Sequence, residues 1–260
     1  MFHAIKQWRR ARSADAPFPD AWLRILAERV PYYRVLSPDE QAELRELVQR
    51  FGAEKTFEGC AGLEITDEIR VTIAAQACIL LLNREHDCYA GLQSVLVYPS
   101  SYVAPSRFTD EAGVVHEGDE GRLGEAWMHG AIILSWDDVQ RDAADFQDGH
   151  NVTLHEFAHQ LDQEDGEFDG APVLEKRSHY RSWARILRKE YEALIDAAER
   201  GETTLLDQYG ATDPAEFFAV ITEAFFERPE ALRRKHPELY AELQKFFRQD
   251  PAARLEAARA

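Results

Sequence analysis

Apolar positions recur along this chain in two rhythms, one helical and one alternating. Ser37-Pro38-Asp39-Glu40 supplies an N-cap, a proline at the first helical position and a glutamate at the third. Leu44, Leu47 and Val48 follow at helical spacing, so a helix is predicted from about Pro38 to Arg50. A second helix is predicted after Thr66, with Asp67 and Glu68 in its first turn. From Val71 to Leu82 it is apolar nearly all round, as expected of a helix covered on several sides. The longest apolar run lies there, is broken by Gln76, and is too short to cross a bilayer. Strand signals come next at Val95–Tyr98, at Val114-Val115, and most strongly at Ala131–Trp136. They lie among turns, which predicts a small antiparallel or mixed sheet with helices gathered against it. From about His150 the helical rhythm returns, over Asn151–Asp162, Ser178–Arg200, Pro214–Phe226 and Pro237–Phe247, the last closed by Asp250-Pro251. The acidic stretch DQEDGEFDGAPV between the first two reads as a loop.

The economical fold class is α+β. The first 20 residues read as a loose basic arm, and residues 21–260 as a single unit whose N-terminal helical layer covers about 21–85. Composition is globular, with 45% hydrophobic and 30% charged residues. A net charge of −17 is expected to repel nucleic acid and anionic membranes. The start of the chain lacks the apolar core of a secretory signal, and Cys60, Cys78 and Cys88 have no CxxC spacing. They read as reduced thiols in a cytoplasmic protein.

The chemistry concentrates in His155-Glu156-Phe157-Ala158-His159, an HExxH inside a predicted helix. Residues four apart lie one turn apart on one face, so both imidazoles can reach one metal while Glu156 points at a water. The bland alternative is two helix histidines paired with nearby acids. Two histidines and a glutamate on an otherwise apolar helix would each need compensation for desolvation, and one zinc ion compensates all three. Catalytic zinc wants three protein ligands, so one more is required. Asp165 stands where the compact HExxHxxGxxH/D pattern places it, yet the glycine position of that pattern holds Asp162, and the two methionines, Met1 and Met128, supply no downstream turn. Glu216 is the other candidate, on a helix where Glu216, Ala219, Val220 and Glu223 share a face. It competes with a capping box in which Asp213 is the N-cap and Glu216 the third helical residue.

HEFAHQLD, the DG…DG…P loop, QYGATDPAEFFAVITEAFF and the upstream GEAW…G…ILSW together resemble the Mlc titration factor A family of bacterial zinc metallopeptidases. The resemblance runs from the helix after Pro38 through the QDPAARL tail. It implies a zincin-like core with a small mixed sheet, an HExxH helix and added N- and C-terminal helices, akin to the gluzincin core of lethal factor. It implies one Zn²⁺ per chain held by His155, His159 and Glu216, with Glu156 as general base and Tyr209 near the metal. It further implies aminopeptidase activity and an Mlc-like transcriptional repressor as partner; together with the acidic run around the metal helix, that activity leads us to expect short peptides with a free amino terminus and a small or apolar first residue as substrates. A regulatory binding module with a vestigial zinc site is the alternative. Glu223 and Asp162 are candidates to orient the imidazoles. The AIILSW strand is expected at the cleft edge, and the run from Asp137 to Asp169, where Arg141 is the single base, suits a free amine.

Overall fold

The computed structural model describes residues 17–100, 106–109, 115–118 and 130–259. Helix α1 (Asp20–Arg29) leads through a 3₁₀ turn at Pro31–Val35 to α2 (Pro38–Glu54). Ser37 and Glu40 close the expected capping box: the Ser37 amide donates to Glu40 Oε2 at 2.9 Å and the Glu40 amide to Ser37 Oγ at 3.3 Å. Strand β1 (Thr56–Gly59) is followed by α3 (Asp67–Ile79), N-capped by Thr66 and buried along nearly its whole length. Strand β2 (Ser94–Tyr98), the pair β3 (Ser106–Thr109) and β4 (Val115–Gly118), and β5 (Ala131–Ser135) come next. Of the predicted Val114-Val115 piece, Val115 opens β4, and Val114 lies outside the described residues. The predicted N-terminal arm also lies outside them as far as residue 16, and α1 begins at Asp20.

The sheet corrects the antiparallel or mixed expectation. Its order is β1-β2-β5, and both pairings are parallel, Phe57 opposite Val95 and Val97 opposite Leu134. Parallel neighbours need long crossovers. Here α3 lies in the first connection and the separate antiparallel β3–β4 pair in the second. Turn signals flank the strands without saying which strand follows which in space. The fold remains α+β and helix-rich. Among the described residues β5 is an edge strand.

Trp136 does not extend β5. It opens α4 (Trp136–Ala144), for which Ser135 is the N-cap and Asp137 and Asp138 fill the first turn. Then come α5 (Val152–Asp162), α6 (His179–Glu199), a 3₁₀ turn at Gln208–Ala211, and α7 (Pro214–Glu227). Helices α8 (Pro229–Lys235), α9 (Pro237–Phe247) and α10 (Pro251–Arg259) finish the chain. Asp250-Pro251 therefore separates two helices rather than closing the last, because proline suits a first helical turn as well as a stop. Among the described residues no helix is long and apolar enough to cross a membrane.

Helix α5 is held from behind by aromatic packing. Phe157, fully buried, sits 4.9 Å ring to ring from Tyr89 and 5.7 Å from Phe51 of α2. Leu154, Ala158 and Leu161 are buried beside it. Helix α7 is apolar on every side and lies against α5, so its few carboxylates are carried into the interior.

Candidate metal centre

His155 and His159 emerge on the face of α5 opposite Phe157, with ring centroids 4.8 Å apart. Glu216, in the first turn of α7, meets both: its Oε2 lies 2.9 Å from His155 Nε2 and 3.5 Å from His159 Nε2. One donor atom from each of the three lies within 4.8 Å of the others. Asp213 does cap α7, accepting from the amides of Ala215 and Glu216 at 2.9 Å. The Glu216 carboxylate does not return to close a capping box; it turns to the histidines. Asp165 is exposed in the 3₁₀ turn after α5, where its carboxylate accepts from the Glu167 amide at 3.1 Å. The compact reading is not realised.

Glu223, two turns beyond Glu216, places Oε2 2.9 Å from His155 Nδ1 and takes the Asn151 amide on Oε1 at 2.7 Å. His155 thus faces a carboxylate from each ring nitrogen. Burial alone would depress its pKa, but Glu216 and Glu223 raise it to about 10. Burial would likewise raise Glu216, yet the two imidazoles hold it down at about 2. His159 is lowered, chiefly by burial. If Nδ1–H donates to Glu223, the Nε2 lone pair and the Glu216 oxygen point at one another, and only a cation between them satisfies both. A proton serves one such pair; a divalent ion serves both imidazoles and the carboxylate together. Two nitrogens and one carboxylate oxygen are a donor set that zinc takes in catalytic sites, and the residues present fit such an ion.

Glu156 is buried beside the trio at 7% exposure. Tyr209 lies in the Gln208–Ala211 turn, its amide capped by Asp207 Oδ1 at 2.8 Å and its ring 6.1 Å from that of His155. At 52% exposure it faces solvent. Asp162 does not turn toward His159 in the expected way: its carboxylate takes the Gly170 amide at 2.9 Å and anchors the acidic loop. Burial pushes its pKa up to about 6.

Two neighbours escaped the sequence reading. Phe168 of the acidic loop sets its ring 5.0 Å from that of His159 while remaining 40% exposed. Nothing in the local pattern distinguishes it from any loop aromatic. Asn151 caps α5 through Leu154 and also donates to Glu227 Oε1 at 2.9 Å and Gln76 Oε1 at 2.8 Å. An asparagine ahead of an apolar-periodic segment is a cap signal that could have found it.

The chain is 42% identical over 245 residues to an uncharacterized protein of Synechocystis sp., covering 94% of this chain and 89% of that protein. It is 36% identical over 231 residues to the Mlc titration factor A of Pectobacterium atrosepticum, covering 88% and 86%, and 35% identical over 237 residues to that of Escherichia fergusonii, covering 90% and 88%. Residues 5–248 match the family described as glucose-regulated metallopeptidase M90. With that span and these identities, the chain belongs to the M90 metallopeptidase family.

Proposed function

We propose that this chain is a cytoplasmic zinc-dependent aminopeptidase, acting on short peptides with a free amino terminus and a small or apolar first residue. The observation that carries it is the meeting of His155, His159 and Glu216 across two helices, with Glu156 next in sequence to the first ligand. In this reading those three residues hold the ion. Zinc bound there would supply a Lewis acid for the scissile carbonyl and acidify water. Glu156 takes the proton of the attacking water and later returns it to the leaving amine. Tyr209 donates a hydrogen bond to the oxyanion as charge accumulates, a contact that matters only on the way to the transition state. Glu223 fixes the tautomer and direction of His155. The edge strand β5 offers backbone groups to an extended peptide.

The preference for a free amine rests on the acids from Asp137 to Asp169, among which Arg141 is the single base. A free α-amine has a reference pKa of roughly 7.7–8.0 and is substantially protonated near neutrality. Comparing kcat/KM for a short peptide and its N-acetylated twin isolates that charge. The free peptide is expected to win, by a margin that shrinks with salt where steering contributes. Equal rates at low salt would leave a metallopeptidase without the amino-terminal preference.

A second reading makes the chain a regulatory binding module for an Mlc-like transcriptional repressor, its zinc site vestigial. The name carried by the Mlc titration factor A relatives favours it. Zinc retained in a chain that cleaves no short peptide would support that reading.

A further inference from the structure

Among the described residues the exposed large hydrophobic side chains are Leu23, Phe168, Val173 and Tyr209. One such side chain in water calls for no explanation, but two of these four lie ring to ring against histidines of the same trio, Tyr209 on His155 and Phe168 on His159. The two aromatics differ in what they can do. Tyr209 carries a hydroxyl. Phe168 has no atom that gives or takes a proton, so what it brings to the centre is apolar surface. It lies against the histidine that is closed to solvent, His159 at 1% exposure, while His155 and Glu216 keep 14% and 12% of their side chains in solvent. Phe168 itself is 40% exposed.

The loop holds that ring in place on both sides. Before it, the Glu167 amide donates to Asp165 Oδ1 at 3.1 Å; after it, the Ala171 amide donates to Asp169 Oδ1 at 3.1 Å. The Gly170 amide is fixed to Asp162 of α5 at 2.9 Å, and the Gly170 carbonyl to the Trp183 indole of α6 at 3.4 Å. A side chain on a backbone tied down in this way has little freedom left to lose when a partner covers it. Its neighbours in sequence, Glu167 and Asp169, are exposed acids. The same stretch therefore offers negative charge for an α-amine and apolar surface for the side chain that the amine accompanies.

We propose that Phe168 is the specificity-determining residue for the first residue of the substrate, whose apolar side chain packs on its ring. Of the two classes in the reading above, small and apolar, this selects the apolar: leucine reaches the ring and removes its exposed surface from water, alanine does not reach it, and asparagine, close to leucine in shape, brings a carboxamide that the ring cannot satisfy. The proposal rests on the aminopeptidase reading of the trio and adds the residue that chooses the substrate.

The test uses the zinc-loaded full chain and the peptides X-Ala-Ala, with X leucine, asparagine or alanine. In the parent, kcat/KM for leucine should exceed that for asparagine and for alanine by about tenfold or more. Phe168→Ala should cut both ratios several-fold, and Phe168→Leu, which restores an apolar wall, should keep most of them. A merely disturbed loop would slow all three peptides alike and leave the ratios standing. Leucine no better than asparagine, ratios that survive Phe168→Ala, or ratios lost equally in Phe168→Leu overturn the proposal. Should no peptide be cleaved, the peptidase reading fails separately, and calorimetric titration of the zinc-loaded Glu156→Gln protein with the leucine and asparagine peptides decides. Tighter binding of the leucine peptide, abolished by adding Phe168→Ala, upholds the contact; equal binding of the two, or none, overturns it.

Discussion

Glu216 and Asp165 were the two carboxylates in contention for one role, and their surroundings separate them. Glu216 has its oxygen between two imidazoles, whereas Asp165 folds back on the Glu167 amide at the surface. Glu216→Ala should therefore strip most of the zinc from purified protein, while Asp165→Ala should retain it, as read by metal analysis after dialysis. The reverse pattern would transfer the ligand role to the loop. Glu156 differs from both in being beside the trio without belonging to it. Glu156→Gln keeps shape and volume but can neither accept the water proton nor return it, so zinc content should stay normal while kcat falls by about 10²-fold or more. Turnover close to the parent's would end the general-base assignment.

At the scale of elements, the centre depends on how the acidic loop is docked between two helices. Gly170 has φ +75°, and a Cβ there would lie 2.3 Å from the carbonyl oxygen of Pro214, the first residue of α7. Its amide is held by Asp162 at the end of α5, and its carbonyl takes the Trp183 indole N–H of α6 at 3.4 Å. One residue thus ties the exit of α5 to the start of the helix that carries Glu216. Gly170→Ala should cost about 1–3 kcal/mol of stability and weaken zinc retention, because the first turn of α7 must shift. Gly166 in the same loop also has positive φ, +92°, but an added Cβ there meets nothing within 4 Å. Gly166→Ala should carry strain alone and hold zinc like the parent. Melting curves and metal content of the two variants side by side check the distinction.

Across the whole molecule, the buried polar groups behind the centre link helices far apart in sequence. Asn151 joins Gln76 of α3 to Glu227 of α7, and Gln76 is the residue that interrupts the long apolar run. Burial pushes the Glu227 carboxyl up to about 10, with Asp148 beside it adding to the rise. The folded chain therefore keeps that proton at neutral pH, whereas the unfolded chain loses it near the ordinary value of 4.5. The unfolded state binds fewer protons in this window, so this group's contribution to stability falls as pH rises from about 4.5 toward 10. Glu227→Gln imitates the protonated form. It should melt near the parent's temperature at pH 5 and above it at pH 8, and a difference independent of pH would refute the linkage.

The local signals were legible because they obey local rules. HExxH, the Ser37 box, and the helices at Pro38, Asn151 and Pro214 follow from spacing and caps, each set by a few consecutive residues. Sequence also brought Glu216 forward, though its residues alone could not choose between ligand and cap, since both use a carboxylate in a first helical turn. Packing is what brings that carboxylate to the two imidazoles, by setting α7 against α5. The parallel pairing of β1, β2 and β5 and the Phe168 contact with His159 are likewise decided by how separate segments pack. Strand direction depends on where crossovers lie, and a loop side chain has no period to betray its neighbour. Such contacts exist only once the helices have packed.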